Sequence, residues 1–359
     1  MKEDHEPARA READHTIAPT GSRSPSDRRH GCNSHQVASL AVDQNARLRH
    51  LDPRVPALTL AQAMQALERS EREGRRLLCA PAEDGSVMAT ACVTVTVYPD
   101  DSDMLAFAPK RCGTAAMLTV PDPRTPAAVT TNGFADDLER AWRAAGADGA
   151  IVSWLLADTA IDRFWSERGF VRHSVLALRT DTAPAASAGP SSAAVSVRPV
   201  EQRDEERAVH LMVEQMAYHE GLTPFDRVVA GTVLHARARV RAACAPSEID
   251  DDAFVLVAET DAGEVVGILE CEVRDTRGAW SYLPPGRLGF VRIAAVDARQ
   301  RGRGVGTALY RAACRAFAER SVDGLYTYFV PANPLASAFW TGKGFVPLMA
   351  VYQTRYGAT

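Results

Sequence analysis

The stretch Leu288-Gly-Phe-Val-Arg-Ile-Ala-Ala-Val296, followed by Asp-Ala-Arg-Gln-Arg301-Gly302-Arg303-Gly304-Val305-Gly306-Thr307, carries the clearest chemistry in the chain. Its first nine residues read as a strand, and the amphipathic run beginning at Val305 reads as a helix. Glycines between the two let the backbone take left-handed conformations and approach a ligand closely. The first turn of the helix offers unpaired N–H groups at the positive end of its dipole. Together these make an anion site suited to a pyrophosphate. Arg299, Arg301 and Arg303 add positive charge around it. The Gly-Lys-Ser/Thr ending of a nucleotide P-loop is absent, as are the spacing and downstream acidic residue of a dinucleotide fingerprint. The bland alternative is a glycine-rich strand-to-helix turn with solvated arginines.

The elements that would position this loop follow from the rest of the chain. Its 359 residues, 46% hydrophobic and 24% charged, suffice for two domains with sizeable cores. Residues 1–50 are polar, of mixed charge and rich in histidine, and are expected to be a disordered tail. Residues 181–194, DTAPAASAGPSSAA, read as a linker. Two segments remain, 51–180 and 195–359, and they repeat one another. Phe164-Trp165-Ser-Glu-Arg-Gly169-Phe170-Val171 matches Phe339-Trp340-Thr-Gly-Lys-Gly344-Phe345-Val346 at an offset of 175 residues. Each match follows an apolar strand, and each strand follows an amphipathic helix: Phe134, Leu138 and Trp142 on one, Val305, Leu309 and Phe317 on the other. The fold class expected is α+β, two tandem domains that each hold a mixed sheet flanked by helices. Strands are expected at 195–199, 253–260, 264–273, 288–296, 324–330 and 345–354, with helices at 201–217, 224–244, 305–320 and 333–342.

Arg301-x-x-Gly304-x-Gly306 after an apolar strand, with Asn333-Pro-Leu-Ala336-Ser-Ala-Phe339-Trp340-Thr-Gly-Lys-Gly344-Phe345 downstream, resembles the paired motifs of the GNAT acyltransferase superfamily. The resemblance covers nearly all of 195–357. It implies an N-acyltransferase with acetyl-CoA as default donor, binding between strands 288–296 and 324–330. The pyrophosphate is expected on Arg301, Gly302, Arg303, Gly304, Val305, Gly306 and Thr307. The pantetheine arm is expected on the backbone of Ile293, Ala294, Ala295 and Val296, with an N–H near Ala295 or Val296 holding the oxyanion. Asn333 and Phe339 complete the donor site. A primary amine of a small molecule would attack directly, without a covalent intermediate. The first repeat places Pro126-Ala-Ala-Val-Thr-Thr131 at the position of the glycine loop and is expected to be a degenerate copy that binds CoA poorly.

Where the family carries a glutamate and a tyrosine for acid–base work, this chain has Phe290 and Trp340. The substitutes expected are Glu270 or Glu272, two apart on one strand face, as base, and Tyr328 as acid for the thiolate. Arg292, Tyr326, Trp340 and His219 are the candidates for contact with the acceptor. The alternative reading is a non-catalytic CoA-binding regulatory or scaffold protein. Seven scattered cysteines, with no C-x-x-C pair, predict buried thiols in a reducing cytoplasm, without a metal site. A net charge of -4, no 18-residue apolar run and no signal peptide argue against nucleic-acid and membrane partners. A monomer or homodimer is expected.

Overall fold

The computed structural model describes residues 33–82, 84–125, 127–181, 195–245, 252–277 and 282–357. The first repeat runs α1 (Ser34–Leu51), α2 (Leu60–Arg72), β1 (Arg76–Pro81), β2 (Val87–Val97), β3 (Arg111–Thr119), α3 (Ala128–Ala144), β4 (Gly149–Leu155), α4 (Thr159–Glu167) and β5 (Val171–Arg179). The second runs β6 (Val195–Pro199), α5 (Glu205–Glu220), α6 (Ala230–Cys244), β7 (Ala253–Thr260), β8 (Val265–Asp275), β9 (Arg287–Val296), α7 (Val305–Glu319), β10 (Gly324–Phe329), α8 (Pro334–Gly342) and β11 (Val346–Arg355). Apart from the extra β6, the element order of the two is the same.

The repeats do not form two sheets. All eleven strands belong to one sheet in the order β1-β2-β3-β4-β11-β5-β10-β9-β8-β7-β6. Each repeat sends its last strand into the other. β11 pairs with β4, Met349 opposite Leu155 and Arg355 opposite Gly149, while β5 pairs with β10, Leu325 opposite Arg179 and Phe329 opposite Val175. The expected strand 345–354 is therefore present, but it does not complete its own half.

The duplication is visible in detail. Gly113 on β3 lies under Trp142 of α3, and Gly289 on β9 lies under Phe317 of α7. A Cβ at either glycine would meet the ring at 2.6 to 2.7 Å. A small residue in the strand thus lets an aromatic side chain of the covering helix pack onto the backbone. Both exchanged strands also carry a bulge at the same place, at His173 in β5 and at Leu348 in β11.

Three expectations are corrected. Residues 34–51, assigned to the polar tail, form α1, capped by the Asn33 side chain. This helix is tied down: Gln44 donates to the Leu118 carbonyl and accepts from the Val120 N–H, each at 2.8 Å, while Val37, Ala38, Ala41 and Leu48 are fully buried. A mixed polar composition hid an amphipathic stripe of small residues. The helical stretch expected at 224–244 begins at Ala230, since 221–229 forms a loop after α5. Cys79 on β1 is disulfide-bonded, whereas Cys92, Cys112, Cys244, Cys271 and Cys314 are free. The cysteines therefore do not all speak for a reducing compartment. The linker lies mostly outside the described residues, as do residues 1–32. No described helix is long and apolar enough to cross a membrane.

Because each half completes the other's sheet, a chain cut at a protease site inserted within 182–194 should remain one particle in size-exclusion chromatography and unfold in one transition. Separation of the halves under native conditions would contradict the strand exchange. Gln44→Ala should cost about 1–3 kcal/mol in urea unfolding, because it leaves two buried backbone groups unpaired.

Candidate active site

The site is built where the central strands part. β9 and β10 run parallel from Leu288 and Gly324 to Val291 and Thr327, and the pairing stops there. The Thr327 hydroxyl donates to the Val291 carbonyl at 2.9 Å and closes the ladder. Arg292 is the extra residue of a bulge, since Val291 faces Cys271 and Ile293 faces Glu270 on β8. Beyond the bulge β9 stays paired with β8, and Asp297 N–H still donates to Val266 at 2.9 Å. Antiparallel alternation then directs Ile293 and Ala295 toward β8, and the N–H and C=O groups of Ala294 and Val296 toward the opening. The guanidinium of Arg301 takes the Val296 carbonyl at 3.2 Å. Of the two amides named for the oxyanion, Val296 faces the opening and Ala295 does not.

The loop beyond β9 has the backbone an anion site needs. Gly302 and Gly304 have φ of +75° and +86°, and Gly304 is the N-cap of α7. These angles disfavour any residue with a Cβ. Gly306 has the Phe339 ring at 3.3 Å from where a Cβ would stand, so the helix start and α8 approach closely. The arginines do not act alike. Arg299 folds back on Asp297, whose carboxyl its hydrogen bonds hold well below the usual carboxylate range. Arg301 lies over the Tyr218 ring at 5.2 Å, and Arg303 is exposed. Lys343, given no role from the sequence, reaches the Thr307 hydroxyl at 3.0 Å and adds a cation at the first turn of α7. Only the fold shows that the turn after α8 returns to this loop.

The first repeat blocks each of these features. Its loop reads Val120-Pro121-Asp122-Pro123-Arg124-Thr125-Pro126, where each proline removes an N–H donor. Asp122 places a carboxylate there, held down to about 2 by its hydrogen bonds with Arg124. Helix α3 starts at Ala127 without a side-chain cap. Matching Gly113 to Gly289 sets Leu118 and Val120 in the places of Ala294 and Val296. Their cleft-facing carbonyl and amide are the groups that Gln44 already occupies.

The acceptor candidates divide. Phe290 stacks on Tyr326, centroids 4.7 Å apart and 13° from parallel, and Tyr328 meets Phe290 edge-on at 6.2 Å. Tyr326 is buried and Tyr328 is 47% exposed. Glu270 is buried against Arg239 at 2.8 Å and Arg292 at 3.3 Å, and Glu272 meets Arg292 and Arg274 at 3.0 Å. Burial raises the Glu270 pKa and the two arginines oppose it. Both glutamates are thus committed to ion pairs. Trp340 is a correction: it is buried in the core among Tyr310, Phe339 and Phe345, with its ring turned in from the surface. An indole following Phe339 on a short amphipathic helix turns inward.

His219, at the last turn of α5, bridges the opening. Its Nε2 is 3.1 Å from Asn333 Nδ2 and 3.0 Å from Gln215 Nε2, and its Nδ1 is 3.8 Å from Asp226 Oδ2. Asn333 also caps α8, its Oδ1 accepting from the Leu335 and Ala336 N–H groups. The other oxygen of Asp226 is 2.6 Å from His173 Nε2. Asp226 and His173 escaped the sequence reading, since they lie 53 residues apart in different repeats. Among the described residues, no group of His, Cys, Asp or Glu is placed to hold a metal ion.

Residues 219–345 match the sequence model of the acetyltransferase (GNAT) family. A GCN5-related N-acetyltransferase from Sphaerobacter thermophilus aligns at a TM-score of 0.52 and 16% identity, over 90% of this chain and 94% of that one. A tandem GNAT protein from the clavulanic acid biosynthesis pathway aligns at 0.46 and 15% identity, over 91% and 97%. At 16% identity the likeness to the Sphaerobacter protein is one of fold. No curated protein matches the sequence. Residues 219–345 thus carry the match to the acetyltransferase (GNAT) family.

Proposed function

We propose that the second repeat is an acyl-CoA-dependent N-acyltransferase, with acetyl-CoA as donor and a primary amine of a small molecule as acceptor. The observation that carries this is the opening itself. β9 leaves β10 after Val291 while the backbone of Ala294 and Val296 stays presented to the gap, and the gap leads to a helix N-terminus with two left-handed glycines. A pantetheine arm is an extended chain with amides, so it can pair with such a strand edge as another strand would. The pyrophosphate fits the N–H groups from Arg301 to Thr307, with Lys343 and Arg303 beside them. The Val296 N–H, preorganised and facing the gap, is suited to hold a developing oxyanion. Holding donor and acceptor side by side supplies much of the rate.

The acceptor would approach from the face of Phe290, Tyr326, Tyr328 and the Arg292–Glu272 pair. The aromatic wall and the paired charges favour an amine attached to a flat or apolar body. Glu270 and Glu272 help to shape this wall. The first repeat serves as scaffold, because its own slot is filled by Gln44 and its loop lacks donors.

Calorimetric titration with CoA should give one site per chain. Gly304→Val should weaken that binding at least about tenfold, because a β-branched residue at positive φ costs more than the roughly 1–2 kcal/mol charged to an ordinary L-residue. Two sites, or a Gly304→Val variant of unchanged affinity, would contradict the assignment. Thiol release from acetyl-CoA with a panel of primary amines tests turnover, and tight binding without release on any amine would favour a non-catalytic CoA-binding role.

A further inference from the structure

Three ionisable side chains from three elements meet beside the opening: His219 at the end of α5, Asp226 on the loop before α6, and His173 on the exchanged strand β5. We propose that His219 is the base of the acyl transfer, positioned by Asp226 and by His173, which the first repeat lends to the second. The inference rests on the acyltransferase reading above and adds the base that Phe290 and Trp340 leave unassigned.

The hydrogen-bond network fixes the protonation pattern. Asn333 Oδ1 is committed to two N–H groups at the start of α8, so its Nδ2 must face His219. An amide nitrogen only donates, so His219 Nε2 carries the lone pair and Nδ1 carries the hydrogen. Asp226 Oδ2, buried and without a hydrogen-bond partner, lies 3.8 Å from that Nδ1, a charge contact longer than a hydrogen bond. Oδ1 of the same carboxylate is held by His173 Nε2 at 2.6 Å. The carboxylate can stabilise the charged imidazole by its field, and His173 holds the carboxylate in place. Burial keeps the His219 pKa below the ordinary value; Asp226 opposes this and His173 adds to it. The other charged groups around the three are Glu220, which binds the Val228 N–H, Arg301 over Tyr218, and Arg355 over Phe225. A neutral imidazole near pH 7 follows.

The repeat provides an internal comparison. His173 sits on the bulge of β5, and the corresponding bulge of β11 carries Leu348. Leu348 packs with Leu48 and Val55 of the α1–α2 region in an apolar cluster. At this one position the repeats therefore differ in kind: the bulge residue is polar and linked to Asp226 where the glycine loop is intact, and aliphatic and packed where the loop is lost.

In the reaction, the amine nitrogen forms a bond to the thioester carbonyl carbon and the carbon–sulfur bond breaks. The proton lost from nitrogen passes to His219 Nε2, displacing the Asn333 contact, and then to the departing thiolate sulfur. The products are an amide and free CoA thiol, with no net change in protons on the protein.

The experiment uses the full chain, CoA alone for binding, and for turnover whichever primary amine the wild type acylates fastest. His219→Gln should lower kcat at least about 100-fold, the usual range for a lost general base, with CoA affinity held within about twofold. His173→Leu, the residue the other repeat uses, should lower kcat while leaving KM for acetyl-CoA near the wild-type value; His173→Gln, which keeps a donor, should restore part of the loss. The acidic limb of kcat/KM should lie below about pH 6.5, activity falling as His219 gains its proton. In Asp226→Asn the limb should move to lower pH, because the carboxylate that favours the charged imidazole is gone. Nitrogen-15 NMR of the free wild type at pH 7 should show His219 as the neutral Nδ1–H tautomer, and mixed tautomers in Asp226→Asn. An active wild type with His219→Gln at full kcat, or an Nε2–H tautomer, would overturn the inference and leave the acyltransferase reading standing. A wild type that acylates no amine would remove that reading, and the inference with it.

Discussion

The exchange of β5 and β11 is the constraint on which the rest of the molecule depends. A strand buried on both sides must pair on both edges, and here each repeat can satisfy its fourth strand only with backbone from the other. The exchange welds two domains into one sheet. It also brings side chains across: Arg179, at the end of β5, reaches the Tyr310 hydroxyl on α7 at 2.5 Å, and Arg54 donates to the carbonyls of Val346 and Pro347. His173 arrives beside Asp226 by the same route. The α6 region is held in turn by the first repeat, with Arg227 donating to the Leu105 and Ala106 carbonyls through its side chain and backbone. The proposed acceptor face of the second repeat is therefore held by residues of both.

The two repeats differ where the donor would bind and agree where the sheet is built. Both keep a glycine under an aromatic residue, a bulge on the exchanged strand and an early end to the pairing of the central strands. One has prolines and Asp122 in the loop; the other has Gly302 and Gly304. In one, α4 begins at Asp158, bound to Arg47 and Trp154; in the other, α8 begins at Asn333, bound to His219. Gln44 fills the first slot with the hydrogen bonds a ligand would make. Such a substitution stabilises a scaffold, because the strand edge no longer depends on a ligand for its partners.

Much of this was legible in the sequence, for physical reasons that can be named. The Gly-Phe matches and helical stripes gave the duplication, because packing a helix on a sheet imposes a period. The loop at 301–307 was legible because few residue types tolerate its backbone angles. The strand exchange was not, since β5 and β11 have the same apolar pattern whichever β4-type strand they join. Helix α1 was missed because its buried face, Val37, Ala38, Ala41, Gln44 and Leu48, has only two large apolar residues and follows a polar stretch. The Asp226–His173 contact and the inward turn of Trp340 depend on tertiary placement alone. The pairing of Glu270 with Arg239, which arrives from α6, could not be read from the strand position.

The proposed donor site is single and lies in the second repeat, along Ala294, Val296 and the loop to Thr307. Hydrogen exchange followed by mass spectrometry, with and without acetyl-CoA, tests it most directly. Protection on binding should appear in peptides covering 292–308 and be absent from those covering 111–131. Protection in the first repeat's strand and loop, or none in 292–308, would contradict it.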